Sequence, residues 1–325
     1  MAMIAVDAMG GDSAPHEIVE GALMAHADGA PVLLVGDVAV IDDIIDGRAD
    51  IPLVAASQVI DFHDDPAHAL REKKDASIAV AARLVSDGGA DAVVSAGSTG
   101  AAMAAATFLI GRLPGVSRPG IASIFPTGHV VLDVGANLEC RPEHLLQFAV
   151  MGSALAEVYG HVDRPRVGLL NIGEEPSKGR DVERAAHHLL AASPAINFVG
   201  NVEGRDIATD TANVIVTDGF TGNVLLKTSE GSGKAIQRMI LETLSRPEYA
   251  DLLSGLMPAF MELRERLSPE SVGGAHLVGT KGVVVIAHGS SSRVAVSNAI
   301  RIAREGVEQG LVERVGSGIA AAMAE

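Results

Sequence analysis

Two glycine-containing polar segments of the chain carry side chains that can act on a substrate. Lys178 stands near the end of a segment that follows the apolar run Val167–Leu170. Asn223 ends a similar segment that follows the run Val214–Val216. An ammonium group can neutralise phosphate or assist a departing thiolate, and a fixed amide donor can stabilise an oxyanion. A solvated lysine and an ordinary capped helix start are the simpler interpretations of the same residues.

Further glycine-rich clusters end other apolar runs and are suited to binding an anion. Such a run before a helical pattern predicts a buried parallel strand that ends at a helix N-terminus. These strand ends gather at one edge of an open sheet, where free N–H groups and the helix dipole favour phosphate. The predicted phosphate contacts are Gly97, Ser98, Thr99, Gly100, Asn171, His288, Gly289, Ser290 and Ser291. Other residues predicted in the cleft are Asp7, Gly10, Gly11, Asp218 and Thr221.

Other reactive combinations have simpler explanations. The acidic and histidine residues between Asp61 and His68 suggest a metal site, but Asp65 followed by Pro66 is an ordinary helix start. Cys140 and His144 suggest a thiol nucleophile, although their segment is equally a helix entry. The chain has no Walker lysine motif, and no dinucleotide-binding glycine pattern follows its first strand. We therefore predict no metal and no cofactor.

The elements that must position these residues alternate along the chain. Strand patterns cover Met3–Val6, Val32–Val35, Leu53–Ala56, Ala92–Ser95, Ile121–Phe125, Val130–Asp133, Val167–Asn171, Ile196–Val199, Val214–Thr217 and Val283–Ala287. Helical patterns cover His16–Ala27, Ala76–Ser86, Thr99–Ile110, Pro142–Tyr159, Asp181–Ala192 and Ser292–Glu305. This alternation predicts an α/β fold with a doubly wound, mostly parallel sheet. Residues 1–325 are expected to form a single α/β unit, since no repeat or low-complexity linker interrupts them.

A helical hairpin at about residues 230–268 is the one departure from this alternation. Two apolar stripes run along it, formed by Ile236, Met239, Ile240 and Leu244 and by Leu252, Leu256, Phe260, Leu263 and Leu267. Pro258 is expected to kink or break the second helix. Packing of the stripes on each other or on a second subunit is the simpler interpretation. The functional interpretation is a projecting hairpin that touches a membrane or holds an acyl chain.

Composition limits the classes of protein and the compartment. The chain has 41 acidic and 25 basic residues and a net charge of −16, which argues against nucleic acid as a partner. A single cysteine excludes an intrachain disulfide and fits a reducing compartment. No secretion signal opens the sequence, and its longest apolar stretch is far below the roughly 20 residues that cross a bilayer. We expect a soluble, cytoplasmic protein that is able to associate with a membrane surface.

Taken together, the motifs resemble those of the bacterial PlsX family, the acyl-acyl-carrier-protein:phosphate acyltransferases, along essentially the whole chain. The segments that carry the resemblance are Ile4–Asp12, Val93–Gly100, Leu132–Asn137, Leu169–Glu175 and Asp218–Thr228. The resemblance implies a fold similar to phosphate acetyltransferases and to isocitrate and isopropylmalate dehydrogenases. Two positions depart from the family pattern, since Ser98 replaces an Asn and Ala287 replaces a Ser.

The resemblance also implies an activity. The family moves a fatty acyl group from the thioester of an acyl carrier protein to inorganic phosphate, as a homodimer without metal or nucleotide. The acyl phosphate then serves glycerol-3-phosphate acylation, so a glycerol-3-phosphate acyltransferase is an expected partner. Family catalytic roles fall on Lys178 and Asn223, the two residues that the chemistry had already selected.

An acidic carrier protein needs a locally basic docking surface on this acidic chain. The candidates are Arg238, Arg246, Arg264 and Arg266 on the hairpin, which could equally be solvated helix charges. Competing functions are a short-chain phosphate acyltransferase that uses coenzyme A and a 2-hydroxy-acid dehydrogenase on the related fold. A membrane-recruited scaffold of lipid enzymes that does no chemistry is a third. The long apolar hairpin favours a fatty acyl chain over an acetyl group.

Overall fold

Eleven strands form one continuous sheet in the computed structural model, which describes residues 2–324 apart from the side chains of residues 250, 251, 253, 254, 266, 269 and 271. The strands are β1 Ile4–Asp7, β2 Val32–Gly36, β3 Leu53–Ala55, β4 Ala92–Ser95, β5 Gly120–Ile124, β6 Val130–Leu132, β7 Arg166–Leu170, β8 Asn197–Val202, β9 Val214–Val216, β10 Ala275–Val278 and β11 Val283–Ile286. Their order across the sheet is β3-β2-β1-β4-β11-β10-β5-β6-β9-β7-β8.

The sheet contains two blocks of parallel strands that run in opposite directions. One block is β3, β2, β1, β4 and β11, and the other is β6, β9, β7 and β8. Between them, β10 and β5 are antiparallel to each other and to their outer neighbours. An edge here means a row of strand ends, not an outermost strand. The first edge receives the carboxyl ends of the first block, and the second edge receives those of the second block. The prediction that all the strand ends gather at one edge was therefore wrong.

Helices cover both faces of the sheet. They are α1 His16–Ala27, α2 Val38–Ile45, α3 Pro66–Glu72, α4 Ser77–Ser86, α5 Thr99–Ala105, α6 Pro142–Tyr159, α7 Asp181–Ala192, α8 Gly219–Leu244, α9 Ala250–Arg266, α10 Pro269–Val272, α11 Arg293–Glu308 and α12 Leu311–Met323. Helices α3, α4, α5 and the start of α8 pack on one face. The other face carries α1, α2 and α11 over the first block and α6, α7 and α12 over the second.

The central strands are buried on both faces, as their unbroken apolar sequences predict. Every residue of β1, β2, β4, β6, β9 and β11 is buried. Valine and isoleucine dominate these strands because branched side chains pack well on a pleated surface. The polar residues that follow each strand therefore emerge from a rigid core.

Most ends of the helices that the sequence patterns predicted agree with the structure, whereas α2 and α12 were not predicted. Helices α1, α6 and α7 have the predicted bounds, and α5 continues into a π-helical turn at Ala106–Ile110. Asp65 Oδ1 accepts the backbone N–H of His68 at 2.8 Å, and Pro66 is the first residue of α3. The segment that resembled a metal cluster is thus a capped helix start, as expected.

Helices α8 and α9 form the predicted hairpin, although α8 begins at Gly219, well before residue 230. Pro258 lies inside α9 without ending it. On the apolar stripes Phe260 is buried, whereas Ile236 and Leu252 are 52% and 57% exposed. The two stripes therefore do not bury each other within one chain, which leaves a second subunit, a membrane or an acyl chain to cover them. None of the described helices is both long and apolar enough to cross a bilayer.

Candidate functional site

Asp133 holds together the loop that follows β6 at the second edge. Its buried carboxylate accepts hydrogen bonds from the backbone N–H groups of Gly135, Ala136 and Asn137 at 3.0, 2.9 and 2.7 Å. The N–H of Ile121 at the start of β5 donates to the same group at 3.2 Å. Burial raises the pKa of the Asp133 carboxyl, and the hydrogen bonds oppose that shift. Through these bonds the loop is fixed to two neighbouring strands.

The start of α8 lies directly against this loop because two glycines permit the approach. The N–H of Gly219 donates to the carbonyl oxygen of Asn137 at 2.7 Å. A Cβ at Gly219 would lie 2.8 Å from backbone atoms of Asn137, and a Cβ at Gly222 would overlap the carbonyl oxygen of Asp133. The backbone that presents Asn223 is therefore set by close packing.

Replacing Gly222 by alanine should test this packing. The added methyl group forces α8 away from Asp133, so we expect a loss of about 1–3 kcal/mol in the free energy of unfolding. Chemical denaturation measures it. The matched control is Gly233→Ala on the same helix, where no atom lies within 4 Å of the new Cβ. That change should raise stability by up to about 1 kcal/mol, and equal effects of the two substitutions would contradict the proposed contact.

Asp218 caps α8 and joins it to the loop after β7. Its carboxylate accepts the backbone N–H of Thr221 at 2.8 Å and the hydroxyl of Thr221 at 3.0 Å. Thr221, which was predicted in the cleft, is thus a donor to the cap residue Asp218. The guanidinium of Arg180 pairs with both Asp218 and Glu183, whose side chains are nearly buried. Hydrogen bonds to Glu183 and then Asp218 raise the pKa of Arg180.

Arg180 is a residue of this candidate site that sequence reasoning missed. It bridges the segment that carries Lys178 to the helix that carries Asn223. A signal was present, because Arg180 directly follows the glycine-containing segment that carries Lys178 and precedes the first residue of α7. Its partner carboxylates could not be identified without the fold.

Lys178 extends from a loop that Asn171 organises. The Asn171 amide donates to the carbonyl oxygen of Lys178 at 3.1 Å, and its oxygen accepts the N–H of Ile172 at 2.8 Å. Gly179 has a φ of 88°, and a Cβ there would meet the Asn171 amide. The side chain of Lys178 is 46% exposed, and its ammonium nitrogen lies 3.8 Å from a carboxylate oxygen of Glu175, so the lysine remains accessible to a ligand.

The side chain of Asn223 is exposed and has no hydrogen-bond partner among the residues that the structure describes. It projects from the start of α8, which follows β9, and Lys178 follows β7. Strands β7 and β9 are adjacent and parallel. The second edge therefore receives Lys178, Asn223, Asn171, Asp218 and Thr221 together.

The first edge gathers the other predicted group. The buried Asp7 carboxylate accepts the hydroxyl of Ser95 at 2.7 Å, and the N–H of Gly97 donates to the Ser95 hydroxyl oxygen at 3.1 Å. Burial raises the pKa of Asp7. A Cβ at Gly10 would lie 2.9 Å from Gly97. These contacts hold the loops after β1 and β4 together beside a narrow pocket.

The loop after β11 joins the same edge. The N–H of Asp12 donates to the carbonyl oxygen of Gly289 at 2.7 Å, and the Cβ position of Gly11 lies 3.3 Å from that oxygen. The exposed His288 Nδ1 lies 2.9 Å from the hydroxyl of Ser290. Ser291 is buried. The cap of α11 is the following residue, Ser292, which accepts the N–H of Ala295.

Ser98 has a structural role as the N-cap of α5. Its hydroxyl caps α5 by accepting the N–H of Ala101 at 3.4 Å. Serine and asparagine are equivalent in that position. Thr99 is exposed in the first turn, and Gly100 lies against Pro66 of α3.

The structure thus places the predicted site residues in two groups. Lys178 and Asn223 are at the second edge, whereas Gly97–Gly100 and His288–Ser291 are at the first. No hydrogen bond or ion pair between described residues joins the groups. The cause is the reversal of strand direction at β10 and β5.

Cys140 and His144 do not form a nucleophilic pair. Burial raises the pKa of the Cys140 thiol to about 12, so it stays protonated, and its sulfur lies 3.8 Å from the carbonyl oxygen of Asn137. The buried His144 accepts the N–H of Arg141 at 3.2 Å. Burial lowers the pKa of His144. Both residues stabilise the entry to α6.

The hairpin arginines predicted to bind a carrier protein differ in their surroundings. Arg238 lies 3.7 Å from Glu242 in an ion pair, and Arg246 and Arg264 are exposed. The side chain of Arg266 lies outside the described residues. Residues 230–268 contain five basic and six acidic residues, so the hairpin as a whole is not positively charged.

The overall fold is the one found in solved phosphotransacetylases. A phosphotransacetylase from Streptococcus pyogenes aligns with a TM-score of 0.66 and 17% identity over 94% of each chain. EutD phosphotransacetylase from Staphylococcus aureus aligns with a TM-score of 0.61 and 18% identity, again over 94% of each. Identity this low establishes a shared α/β fold and no more. The predicted fold class is confirmed.

Sequence comparison narrows this class to one family. The model of the family described as fatty acid synthesis protein matches residues 2–314. A phosphate acyltransferase from Heliobacterium modesticaldum is 49% identical over 322 residues, 96% of each chain. One from Trichodesmium erythraeum is 45% identical over 324 residues, 97% of this chain and 95% of the relative. This chain belongs to the fatty acid synthesis protein family, as the PlsX-like motifs predict.

Proposed function

We propose that this protein is a phosphate acyltransferase that moves a fatty acyl group from the thioester of an acyl carrier protein to inorganic phosphate. Its relatives are named phosphate acyltransferases, which supports phosphate as the acceptor of the acyl group. The observation that carries the proposal is the arrangement of the second edge. There the accessible ammonium of Lys178 and the unpartnered amide of Asn223 follow adjacent strands, and Arg180 bridges their segments.

The proposed reaction needs no protein nucleophile. A phosphate oxygen attacks the thioester carbonyl carbon, and the carbonyl oxygen becomes an oxyanion to which the Asn223 amide donates. The carbon–sulfur bond then breaks and the carrier thiolate leaves, giving acyl phosphate. A thiol with a pKa near ~8.5 departs readily, so the difficulty is to bring phosphate against the carbonyl. Lys178 offsets the negative charge of phosphate and of the departing thiolate.

The residues of the first edge stay in the proposal as contacts for a second phosphate group, because they lie at the opposite edge from Lys178 and do not contact the phosphate that attacks the thioester. Thr99 and Gly100 offer backbone N–H groups at the start of α5, whereas the N–H groups of Gly97, Ser290 and Ser291 are already bonded within their own loops. We also propose a homodimer, because a second subunit would cover the exposed apolar stripes of α8 and α9. The same stripes support contact with a membrane surface, where a glycerol-3-phosphate acyltransferase would receive the acyl phosphate. Cytoplasmic location with peripheral membrane contact follows from the same proposal.

A short-chain acyltransferase that uses coenzyme A is the second candidate. The fold shared with phosphotransacetylases favours it. The exposed apolar residues of the hairpin favour a longer acyl chain instead. Turnover of palmitoyl-acyl carrier protein is therefore expected to exceed that of acetyl-coenzyme A.

The direct test is release of free carrier thiol from palmitoyl-acyl carrier protein by the purified protein. Release should require inorganic phosphate and should be matched by the acyl phosphate formed, which hydroxylamine traps as a hydroxamate. Acetyl-coenzyme A is the comparison substrate under the same conditions. Thiol release without phosphate, or none with either thioester, would show that the protein is a hydrolase or a non-catalytic scaffold.

A further inference from the structure

We infer that the acidic carrier protein docks at the second edge on a basic surface formed by Arg112, Arg118, Arg141 and Lys281. This inference rests on the proposed function and names the site at which its macromolecular substrate binds. All four side chains are exposed. None of the four has a carboxylate partner among the residues that the structure describes.

These four residues are contiguous in space although distant in sequence. The backbone of Arg112 forms an isolated antiparallel β-bridge with that of Thr280. Next to it, the backbone N–H of Lys281 donates to the carbonyl oxygen of Gly111 at 2.9 Å. The Arg112 guanidinium donates to the carbonyl oxygen of Ser117, next to Arg118. A further bond of 3.4 Å runs from Arg118 to the carbonyl oxygen of Glu139, two residues before Arg141.

Strand direction places this surface at the edge where the reaction is proposed. Val278 at the end of β10 pairs with Gly120 at the start of β5, and β5 starts where β6 ends. The turn that carries Lys281 and the segment that carries Arg118 therefore both face the second edge. A cation on either of these two segments therefore lies at the same edge of the sheet as Lys178.

One residue connects the basic surface to the helix that carries Asn223. The side-chain amide of Asn137 donates to the carbonyl oxygen of Pro119 at 2.8 Å, directly after Arg118. The carbonyl oxygen of Asn137 accepts the N–H of Gly219 at 2.7 Å. A carrier protein bound on the basic surface would thus deliver its thioester next to the start of α8.

Charge distribution favours this surface over the hairpin. On a chain with a net charge of −16, four cations without carboxylate partners form a local positive region. The nearby Glu139 and Glu143 are exposed but lie in no ion pair with them. The hairpin, by contrast, carries more acidic than basic residues, and Arg238 is paired. Complementary charge of this kind accelerates association with an acidic partner and is weakened by salt.

Charge reversal in two pairs, Arg112→Glu with Arg118→Glu and Arg141→Glu with Lys281→Glu, tests the inference. We expect the KM for octanoyl-acyl carrier protein to rise by about tenfold at low salt, and the difference to shrink in 0.5 M salt. Turnover of octanoyl-N-acetylcysteamine, an uncharged thioester without a carrier protein, should change less than about twofold because it makes no charge contact there. Arg→Gln variants replace any Arg→Glu variant that fails to fold, and their KM is expected to rise less.

Two controls locate the effect. Arg164→Glu reverses an exposed arginine that precedes β7 at the first edge, so its KM for the carrier protein should stay at the wild-type value. Arg246→Glu with Arg264→Glu tests the hairpin. An unchanged KM in both basic-surface variants, or a rise only in the hairpin variant, would overturn the inference.

A lipid surface is the competing occupant, and vesicles of phosphatidylglycerol and phosphatidylcholine distinguish it. Loss of vesicle binding in the basic-surface variants with a normal KM for the carrier protein would assign the surface to lipid and overturn the inference. Failure of the wild-type protein to use either thioester would instead contradict the proposed function. A raised KM for the carrier protein in the basic-surface variants, with normal use of the small thioester, supports both the docking inference and the proposed function.

Discussion

Replacing Asn223 by alanine is expected to lower turnover of acyl transfer to phosphate by about 10²–10³-fold. The amide is exposed, has no hydrogen-bond partner among the described residues and projects from a helix start fixed against Asp133. Such a donor strengthens its hydrogen bond as the carbonyl oxygen gains charge, so the loss should fall on kcat. Initial rates of hydroxamate formation from octanoyl-acyl carrier protein measure it.

Thr228→Ala is the matched control for this experiment, because Thr228 is an exposed polar residue further along the same helix. Its turnover should equal that of the wild type. Asn223→Asp keeps the size of the side chain but removes the donor, and it should be at least as inactive as Asn223→Ala. Turnover of the alanine variant within about threefold of the wild type, in a folded protein, would remove Asn223 from the proposed mechanism.

Replacing Lys178 by alanine is expected to lower kcat/KM for phosphate by about 10²-fold, because the incoming anion loses its counter-charge. The side chain of Lys178 is half-exposed, and its ammonium nitrogen lies 3.8 Å from the carboxylate of Glu175. The loop that carries Lys178 is therefore not held in place by burial of the lysine side chain. Asn171 holds it instead, through its bond to the carbonyl oxygen of Lys178, and that bond survives the substitution.

Rates at varied phosphate concentration and fixed thioester concentration measure this second effect. The control is Lys234→Ala, an exposed lysine on α8 that has no carboxylate partner among the described residues. Lys178→Arg keeps the charge but spreads it over a planar group, so it should recover part of the activity. A Lys178→Ala protein with unchanged kcat/KM for phosphate would contradict the role of the ammonium group.

Local patterns were enough to predict most strands and helices. Buried runs such as Val283–Ile286 are unbroken stretches of branched residues, and α6 begins at Pro142, a residue that favours the first helical position. These signals lie within a few residues of the element they define. The polar segments at the carboxyl ends of the strands, including those of Lys178 and Asn223, followed directly from them.

The direction of the strands was not predicted, because pairing depends on residues far apart in sequence. Ala275–Val278 was not recognised as a strand, and this short segment pairs antiparallel on both sides. A local signal did exist at β5 and β6. Only residues 125–129 separate them, too few for a parallel crossover. That spacing already requires a hairpin, and hence a reversal within the sheet.

The composition of the site at the second edge was only partly accessible from sequence. Lys178 and Asn223 stand out because their residue types suit the chemistry. Arg180 and Asp133 do not stand out in this way. Arg180 acts by bridging two nearly buried carboxylates, and Asp133 acts by accepting backbone N–H groups. Those partners come from different loops, and only the folded chain brings them together.

The shortness of β11 limits the distance between the two edges. With four residues and a rise of about 3.3 Å each, it spans about 13 Å. Lys281 stands just before it and His288 just after it. The two margins of the sheet are therefore only about one short strand apart at this point, with the packed core between them.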